Sequence, residues 1–243
     1  MSRYFLELSY DGTSYNGWQI QPNAPSIQQT IETSLSKLLA TESKIVGCGR
    51  TDTGVNASYY IAQFDTERID KVEKEGFLYH LNCILPSDIA IHSIKEVSDD
   101  MHARFSATER EYQYYISTRK SPFNRHVYQY YIPLDIEKMN KAAKLLLTYD
   151  DFTSFAKLHS DNSSNICDVM VAQWTQQGDK ITFTIRANRF LRNMVRSITG
   201  TLLDVGKGKI SVDDFAKIIE AKDNSRAASS APARGLFLTD VVY

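Results

Sequence analysis

The strongest chemical signal in this sequence is a short loop in which two glycines bracket an aspartate. Gly49 and Gly54 enclose Arg50 and Asp52. Glycine allows a tight turn and a close approach of the backbone to a ligand. If the backbone is extended here, the side chains of Arg50 and Asp52 point to the same side, and the guanidinium can keep the carboxylate ionised. Such a carboxylate can serve as a nucleophile or a general base, although the pattern also suits an aspartate that only forms a turn.

Arginines alternate with aromatic residues between residues 102 and 115. The interval contains Arg104, Arg110, Tyr112 and Tyr114. Guanidinium groups and aromatic rings can both stack on nucleic-acid bases. On a strand, Tyr112 and Tyr114 share one face, a pattern that also fits an edge strand with tyrosines directed towards the core. The interval is therefore a candidate RNA-binding surface with a structural alternative.

A third candidate is a basic row in a helix predicted over residues 190–205. Arg189, Arg192 and Arg196 have the spacing of one helix face, and no acidic residue occurs from Lys180 to Leu203. Arginines without acidic neighbours suit the phosphates of a nucleic acid. A solvated helix face is the alternative, but such a face usually mixes both signs of charge.

The composition is that of an ordinary folded protein. The chain has 243 residues, of which 42% are hydrophobic and 23% charged, enough for one large domain or two small ones. The net charge of -1 and the pI of about 6.5 argue weakly against a nucleic-acid partner. A local basic face counts for more than the total charge.

The cysteines and the N-terminus indicate a cytoplasmic protein. Cys48, Cys83 and Cys167 are odd in number and far apart, which predicts reduced thiols and no disulfide framework. The spacing of cysteines and histidines does not suit zinc, so no metal site is expected. The sequence shows no signal peptide and no apolar run near the roughly 20 residues of a membrane helix.

The first hundred residues predict the order β-α-β-β-α-β, which is that of a ferredoxin-like fold with an antiparallel sheet. Ser26 and Gln29 form a capping box before an apolar helical stripe that ends at Leu39. The predicted strands cover 4–9, 44–48, 58–65 and 89–97, and the second predicted helix covers 72–85.

The second half predicts the same order without repeating the sequence. The predicted strands cover 111–118, 169–176, 181–187 and 236–242, and the predicted helices begin at Asp135, Phe190 and Ser211. The fold expected is therefore α+β, with two ferredoxin-like halves over 1–103 and 104–243 and a cleft between their sheets. The first half carries the loop 49–57, and the second carries the tyrosines and the basic helix.

Taken together and in order, these clusters resemble bacterial tRNA pseudouridine synthase A along the whole chain. The combination is far more specific than any single motif. The matching pieces are Tyr10-Asp11-Gly12-Thr13, Gly17-Trp18-Gln19, Gly49-Arg50-Thr51-Asp52, His102-Ala103-Arg104-Phe105-Ser106-Ala107-Thr108, Asp151-Phe152-Thr153-Ser154-Phe155, Met194-Val195-Arg196 and Ala231-Pro232-Ala233-Arg234-Gly235-Leu236.

The resemblance implies a homodimer that binds tRNA in a basic cleft and converts uridines 38, 39 and 40 of the anticodon stem-loop to pseudouridine. It implies that Asp52 is the catalytic aspartate, that Arg50 is its partner, that Tyr112 stacks on the target uracil, and that Arg196 holds Asp52 by a charge-assisted bond. No cofactor is expected, since the isomerisation gains no atom. The further RNA contacts expected are Arg104, Arg110, Arg189, Arg192 and Asn56.

The chain departs from the family pattern just after the aspartate. The usual Ala-Gly-Val-His is Thr53-Gly54-Val55-Asn56 here. Asn56 keeps a hydrogen-bonding side chain but cannot titrate as histidine does. It can replace the histidine if that residue orients the loop, whereas a cationic contact with phosphate would be weakened. Activity is expected to survive because the aspartate and both arginines are retained.

Three other functions remain compatible with the sequence. The first is a catalytically silent RNA-binding protein, and the second is the same chemistry on another RNA. The third is a metal-dependent nuclease that uses Asp11, Asp52 and Asp65, although a two-metal site needs a convergent acidic cluster.

Overall fold

A computed structural model describes residues 1–157 and 164–243, which form an α+β protein of two compact units. The first unit comprises Met1–Thr108 with Leu238–Tyr243, and the second comprises Glu109–Phe237. The sequence predicted a boundary between residues 103 and 104. In the structure, residues 104–108 and most of the C-terminal strand belong to the first unit. Within the part of the chain that is described, no helix is both long enough and apolar enough to span a membrane.

The first unit is an antiparallel sheet with helices. Its sheet has β1 (Ser2–Tyr10) between β4 (Ile89–Val97) and β3 (Asn56–Thr66). The strands β2 (Ile45–Gly47) and β9 (Leu236–Val242) also lie beside β3. Leu6, Leu8, Ile31 and Leu35 are fully buried in its core. The elements are β1 (Ser2–Tyr10), α1 (Ile27–Leu39), β2 (Ile45–Gly47), β3 (Asn56–Thr66), α2 (Ile69–Val72), α3 (Phe77–Ile84), β4 (Ile89–Val97) and, from the C-terminus, β9 (Leu236–Val242).

The sheet of the second unit has β8 (Lys180–Ala187) between β5 (Glu109–Ser117) and β7 (Val169–Gln177). A short strand, β6 (Tyr128–Gln129), pairs with β5 in parallel. Its core contains Trp174 and Phe183, whose rings stack with centroids 4.7 Å apart. The elements are β5 (Glu109–Ser117), β6 (Tyr128–Gln129), α4 (Ile136–Leu145), β7 (Val169–Gln177), β8 (Lys180–Ala187), α5 (Met194–Gly206) and α6 (Val212–Glu220).

The predicted helix starts at Ser26, Asp135 and Ser211 are confirmed. Each side chain accepts a hydrogen bond from a backbone N–H in the first turn of its helix, and this bond satisfies a donor that the helix itself leaves unpaired. At Ser211 the reciprocal bond from Asp214 completes a capping box.

Two predicted helices are wrong in extent. The helix expected over 72–85 is divided into α2 and α3 by a turn at Gly76, whose φ of +84° suits glycine. The helix expected over 190–205 begins only at Met194, because Asn193 adopts the left-handed conformation with φ 65°. Arg189 and Arg192 therefore precede α5, and the predicted row of three arginines along one helix face is not formed.

Candidate active site

The loop that carries Asp52 connects β2 to β3 and is shaped by its own backbone. The N–H of Val55 donates to the carbonyl of Asp52 over 3.1 Å, which closes a turn. Gly54 allows that turn through its φ of +76°. Arg50 is exposed and Asp52 is half-buried, so both side chains are accessible to a ligand.

Residues 10–18 hold this loop from the side. The N–H of Trp18 donates to the carbonyl of Thr51 (3.2 Å), and the N–H of Gly54 donates to the carbonyl of Tyr15 (3.3 Å). Gly17 lies against the loop so closely that an added Cβ would stand 2.4 Å from the Thr51 carbonyl oxygen. The backbone on both sides of Asp52 is therefore fixed by a segment about forty residues earlier.

Buried aromatic side chains form a floor under the loop. The Tyr10 hydroxyl is 2.9 Å from the Thr51 hydroxyl, and the Tyr60 hydroxyl donates to the carbonyl of Gly49. The rings of Trp18 and Tyr60 stack with centroids 4.2 Å apart. The sequence motifs contained Tyr10, Gly17 and Trp18, but the sequence alone gave these residues no role.

The supporting segment is anchored in turn at the start of β4. The Tyr15 hydroxyl donates to Asp88 Oδ1 over 2.8 Å, and the N–H of Asp11 donates to the Asp88 carbonyl over 2.9 Å. Burial, followed by the hydrogen bond to Asp88, raises the pKa of Tyr15 far above its usual value. Tyr15 therefore keeps its proton and remains a donor.

The nuclease reading fails on the positions of its three carboxylates. Asp11 accepts bonds from the backbone and hydroxyl of Thr13. Asp65 forms a two-bond ion pair with Arg3, with distances of 2.7 and 2.8 Å, and this pairing lowers its pKa. Asp65 also lies near the far end of β3 from the loop, about 30 Å along an extended strand. A convergent metal site with Asp52 is therefore not formed.

Asn56 holds the loop from within. Its side chain is 1% exposed, and its Oδ1 accepts a bond from the N–H of Gly12 over 2.8 Å. This burial favours the loop-orienting role for position 56 over a direct contact with RNA phosphate.

We expect Asn56→Ala to destabilise the protein by about 1–3 kcal/mol, because it leaves a buried N–H without its acceptor. Asn56→His should cost less, since an imidazole nitrogen can accept the same bond. Urea unfolding of the two variants measures the difference. Equal stability of Asn56→Ala and wild type would contradict the anchoring role.

The second unit presents Tyr112 on β5, opposite Ile185 of β8. The Tyr112 ring meets Phe190 edge-to-face, with centroids 5.2 Å apart and planes at 88°. Tyr112 is half-buried. Tyr114 is fully buried, with a pKa raised mainly by burial, and donates to the carbonyl of Pro232 over 2.8 Å. Of the two tyrosines, only Tyr112 is placed to offer a ring face to a base.

Arg196, on α5, is fixed by the segment that carries the Ala-Pro-Ala-x-Gly-Leu motif. Its Nε donates to the carbonyl of Ala231 (2.8 Å), and the N–H of Ala231 donates back to the carbonyl of Arg196 (2.9 Å). A Cβ on Gly200 would stand 2.1 Å from the Ser229 carbonyl oxygen. The motif thus lies directly on α5, and the Arg196 side chain is half-buried.

The remaining predicted RNA contacts are spread over several elements. Arg104 is exposed on the first unit, with its guanidinium carbon 5.5 Å from the ring centre of Phe105. Arg110, on β5, donates to the carbonyl of Asn188 over 3.0 Å. Arg189 is half-buried and Arg192 is exposed, both on the approach to α5.

Residues 180–203 contain no Asp or Glu, but an arginine of this stretch has acidic partners on a neighbouring strand. Arg186, on β8, forms ion pairs with Glu111 (2.9 Å) and Glu109 (3.3 Å) on the neighbouring β5. Strand pairing thus supplies acids that the linear sequence does not show. Arg186 is accordingly a poor candidate for a contact with phosphate.

The site residues are divided between the two units. Arg50, Asp52, Asn56 and Arg104 belong to the first unit, and Tyr112, Arg196 and the other arginines belong to the second. Within the first unit, an accessible carboxylate on a rigid loop suits nucleophilic or general-base chemistry.

Comparison with known proteins identifies the family. A family model described as tRNA pseudouridine synthase matches residues 142–243. A protein named tRNA pseudouridine synthase A from Bacteroides fragilis is 52% identical over 250 residues, with 100% of this chain and 97% of that protein covered. Proteins of the same name from Bacteroides thetaiotaomicron and Parabacteroides distasonis are 51% and 52% identical over 100% of this chain, covering 91% and 96% of their own lengths. Since this identity extends over nearly the whole of each protein, the chain belongs to the tRNA pseudouridine synthase A family.

Proposed function

We propose that this chain isomerises uridines of tRNA to pseudouridine, with the Asp52 carboxylate as the catalytic group. Its family makes it an RNA pseudouridine synthase, and its relatives carry tRNA in their names. The observation that carries the assignment to Asp52 is the way its loop is held. Bonds to the backbone of Thr51 and Gly54, and a buried aromatic floor, fix the position of an accessible carboxylate. Such preorganisation is what a reaction at a trapped base requires.

The reaction balances without a cofactor. The target base must first leave the stack to reach the enzyme. The bond from N1 of uracil to C1′ of the ribose breaks, the base turns, and C5 forms a new bond to C1′. The hydrogen on C5 leaves as a proton and N1 gains one, so no electron or group is transferred to an external acceptor. Hence we expect the activity to be independent of added metal.

The other groups are assigned roles around that carboxylate. We assign Arg50, exposed two residues before Asp52, to the space that the displaced base leaves. Tyr112 stacks on the target uracil, and Arg196 supports the charge of Asp52. Arg104, Arg110, Arg189 and Arg192 are proposed contacts for the tRNA backbone, and Asn56 is proposed to act by holding the loop.

The proposal also covers the positions of the substrate uridines, the oligomeric state and the cellular location. The substrate uridines are 38, 39 and 40 of the anticodon stem-loop, the active form is a homodimer, and the protein works in the cytoplasm. We also propose that each unit follows a ferredoxin-like plan. The order β4-β1-β3-β2 in the first unit supports this, because it places the four strands of the β-α-β-β-α-β series in one antiparallel sheet.

Release of tritium from tRNA labelled at uridine C5 tests the proposed function. Isomerisation expels that hydrogen, so the wild-type protein should release tritium in EDTA. A transcript with cytidine in place of uridine at position 38, 39 or 40 should no longer release the tritium that comes from that position. No release by a folded preparation that binds tRNA would establish the silent RNA-binding reading. Release only from a different RNA would change the substrate but not the chemistry.

Tyr112 offers a test of the proposed stacking. We expect Tyr112→Phe to keep kcat/KM within a few-fold of wild type, because the ring is retained. Tyr112→Ala should lower it by about 5- to 150-fold, since stacking of one base on an aromatic ring contributes about 1–3 kcal/mol. Steady-state tritium release measures both variants. An inactive Tyr112→Phe would assign the role to the hydroxyl, and a fully active Tyr112→Ala would remove Tyr112 from the site.

A further inference from the structure

A second aromatic and basic surface lies on the loop between β5 and β6, which contains none of the residues assigned above. We call residues 118–127 the Phe123 loop. Phe123 is 91% exposed, more than any other large hydrophobic side chain among the described residues. Arg119, Lys120 and Arg125 are exposed on the same loop. No Asp or Glu occurs from Tyr112 to Leu134, so the loop carries positive charge only.

The Phe123 loop is closed at its base by side-chain bonds. Ser117 Oγ donates to the carbonyl of Arg119 over 2.8 Å, and Asn124 Nδ2 donates to Ser117 Oγ over 3.2 Å. Gln129 Nε2 donates to the carbonyl of Ser121 over 3.3 Å. Because β6 is paired with the end of β5, both ends of the loop are attached to the sheet. The base of the loop is therefore fixed to the sheet, which reduces the part of the loop that must become ordered when it meets a partner.

The charges of the loop decide between the possible partners. One cation has an acidic neighbour, since Arg119 is 3.8 Å from Asp179, but both side chains are mostly exposed and such a pair is weak. If two copies met through this loop about a twofold axis, like charges would face each other. A nucleic acid offers phosphates to the cations and base faces to the ring. RNA is therefore the partner whose chemistry matches.

We propose that the Phe123 loop is an additional tRNA-binding element, in which Phe123 stacks on an unpaired base and the flanking cations contact phosphates. This inference rests on the proposed function, because it takes tRNA as the partner. The loop lies outside the residues assigned to the reaction. It should therefore contribute to the affinity for tRNA and not to the chemical step.

Direct binding and activity assays with one tRNA transcript test this element. Phe123→Ala should raise the Kd and KM by about 5- to 150-fold, the range expected for one base–aromatic stack, and leave kcat at saturating tRNA unchanged. Phe123→Trp should restore the affinity. Arg125→Gln should reduce the slope of log Kd against log salt concentration by roughly one. Tyr79→Ala is the matched control, since Tyr79 is 69% exposed on α3 of the first unit, outside the Phe123 loop.

Phe123→Trp also gives a direct signal of stacking. The two native tryptophans, Trp18 and Trp174, are each 2% exposed, so the new indole is the accessible one. Its fluorescence should be quenched when tRNA binds. Unchanged Kd for Phe123→Ala, or no quenching, would overturn the proposal. A shift of Phe123→Ala from dimer to monomer in sedimentation would also overturn it and assign the loop to a subunit interface. Wild-type tritium release in parallel separates these outcomes from a failure of the proposed function.

Discussion

Replacing Asp52 with asparagine is expected to lower kcat for uridine isomerisation by at least about 10⁴-fold, the scale seen when a catalytic group of a hydrolase is removed. Asparagine has nearly the same size and can still accept hydrogen bonds, but it is neither a base nor an effective nucleophile. The fold should survive, because the loop is anchored through the backbone of Asp52 and the side chain of Thr51. Single-turnover tritium release measures the loss, and urea unfolding measures the stability.

Asp70→Asn is the matched control for this variant. Asp70 lies on α2 of the same unit, where its side chain is 67% exposed and pairs with Arg68. The same change of charge there should leave kcat within a few-fold of wild type. The Asp52 variant should still bind tRNA with an affinity near that of wild type. An Asp52→Asn protein with more than a tenth of wild-type kcat would show that another group performs the chemistry.

Gly17→Ala is expected to damage the site without touching a catalytic side chain. Gly17 has a φ of +90°, and its added Cβ would meet the Thr51 carbonyl at 2.4 Å, the Asp52 carbonyl carbon at 3.1 Å and the Thr53 nitrogen at 3.3 Å. Strained backbone costs about 1–3 kcal/mol, and overpacking against a rigid neighbour costs a similar amount. We therefore expect a loss of roughly 2–5 kcal/mol in the free energy of unfolding. We also expect kcat to fall in the fraction that remains folded, because the loop must shift.

Gly178→Ala separates the two contributions to that loss. Gly178, in the turn from β7 to β8, has a φ of +56°, but nothing lies within 4 Å of its added Cβ. It should therefore show the backbone strain alone, with unchanged kcat. Urea unfolding and tritium release at a temperature where both variants are folded complete the comparison. Equal effects of the two changes would mean that the clash with the loop that carries Asp52 is relieved at no cost.

Local signals in the sequence determined most of the secondary structure. The β-prone run at 4–9, the imperfect alternation at 89–97 and the hairpin around Gly178 are patterns within a few residues, and β9 was predicted with its observed bounds. The helix starts at Ser26, Asp135 and Ser211 have the same origin, since a cap is made by a side chain and a backbone only three residues apart. The motif that contains Asp52 was also visible, because its parts are contiguous.

Tertiary structure decided the features that depend on distant partners. The start of α5 is set at Asn193, whose Nδ2 donates to Ser230 Oγ over 2.7 Å, and a helical pattern in the sequence cannot show that bond. Likewise, Arg186 looks unpaired in the sequence but is paired by Glu111 across two strands.

The support of the loop that carries Asp52 also depends on partners that are distant in the sequence. The sequence by itself indicated Asp52 as the residue for the proposed chemistry through the ordered set of motifs that carries the family resemblance, since the glycine-bounded aspartate alone also suits a turn. Only the folded chain revealed that Tyr10, Gly17 and Trp18 fix this aspartate's loop and that Asn56 is a buried anchor. The physical reason is that hydrogen bonds and close packing act over a few ångströms in space. The sequence spacing of about forty residues between these partners gives no measure of that distance.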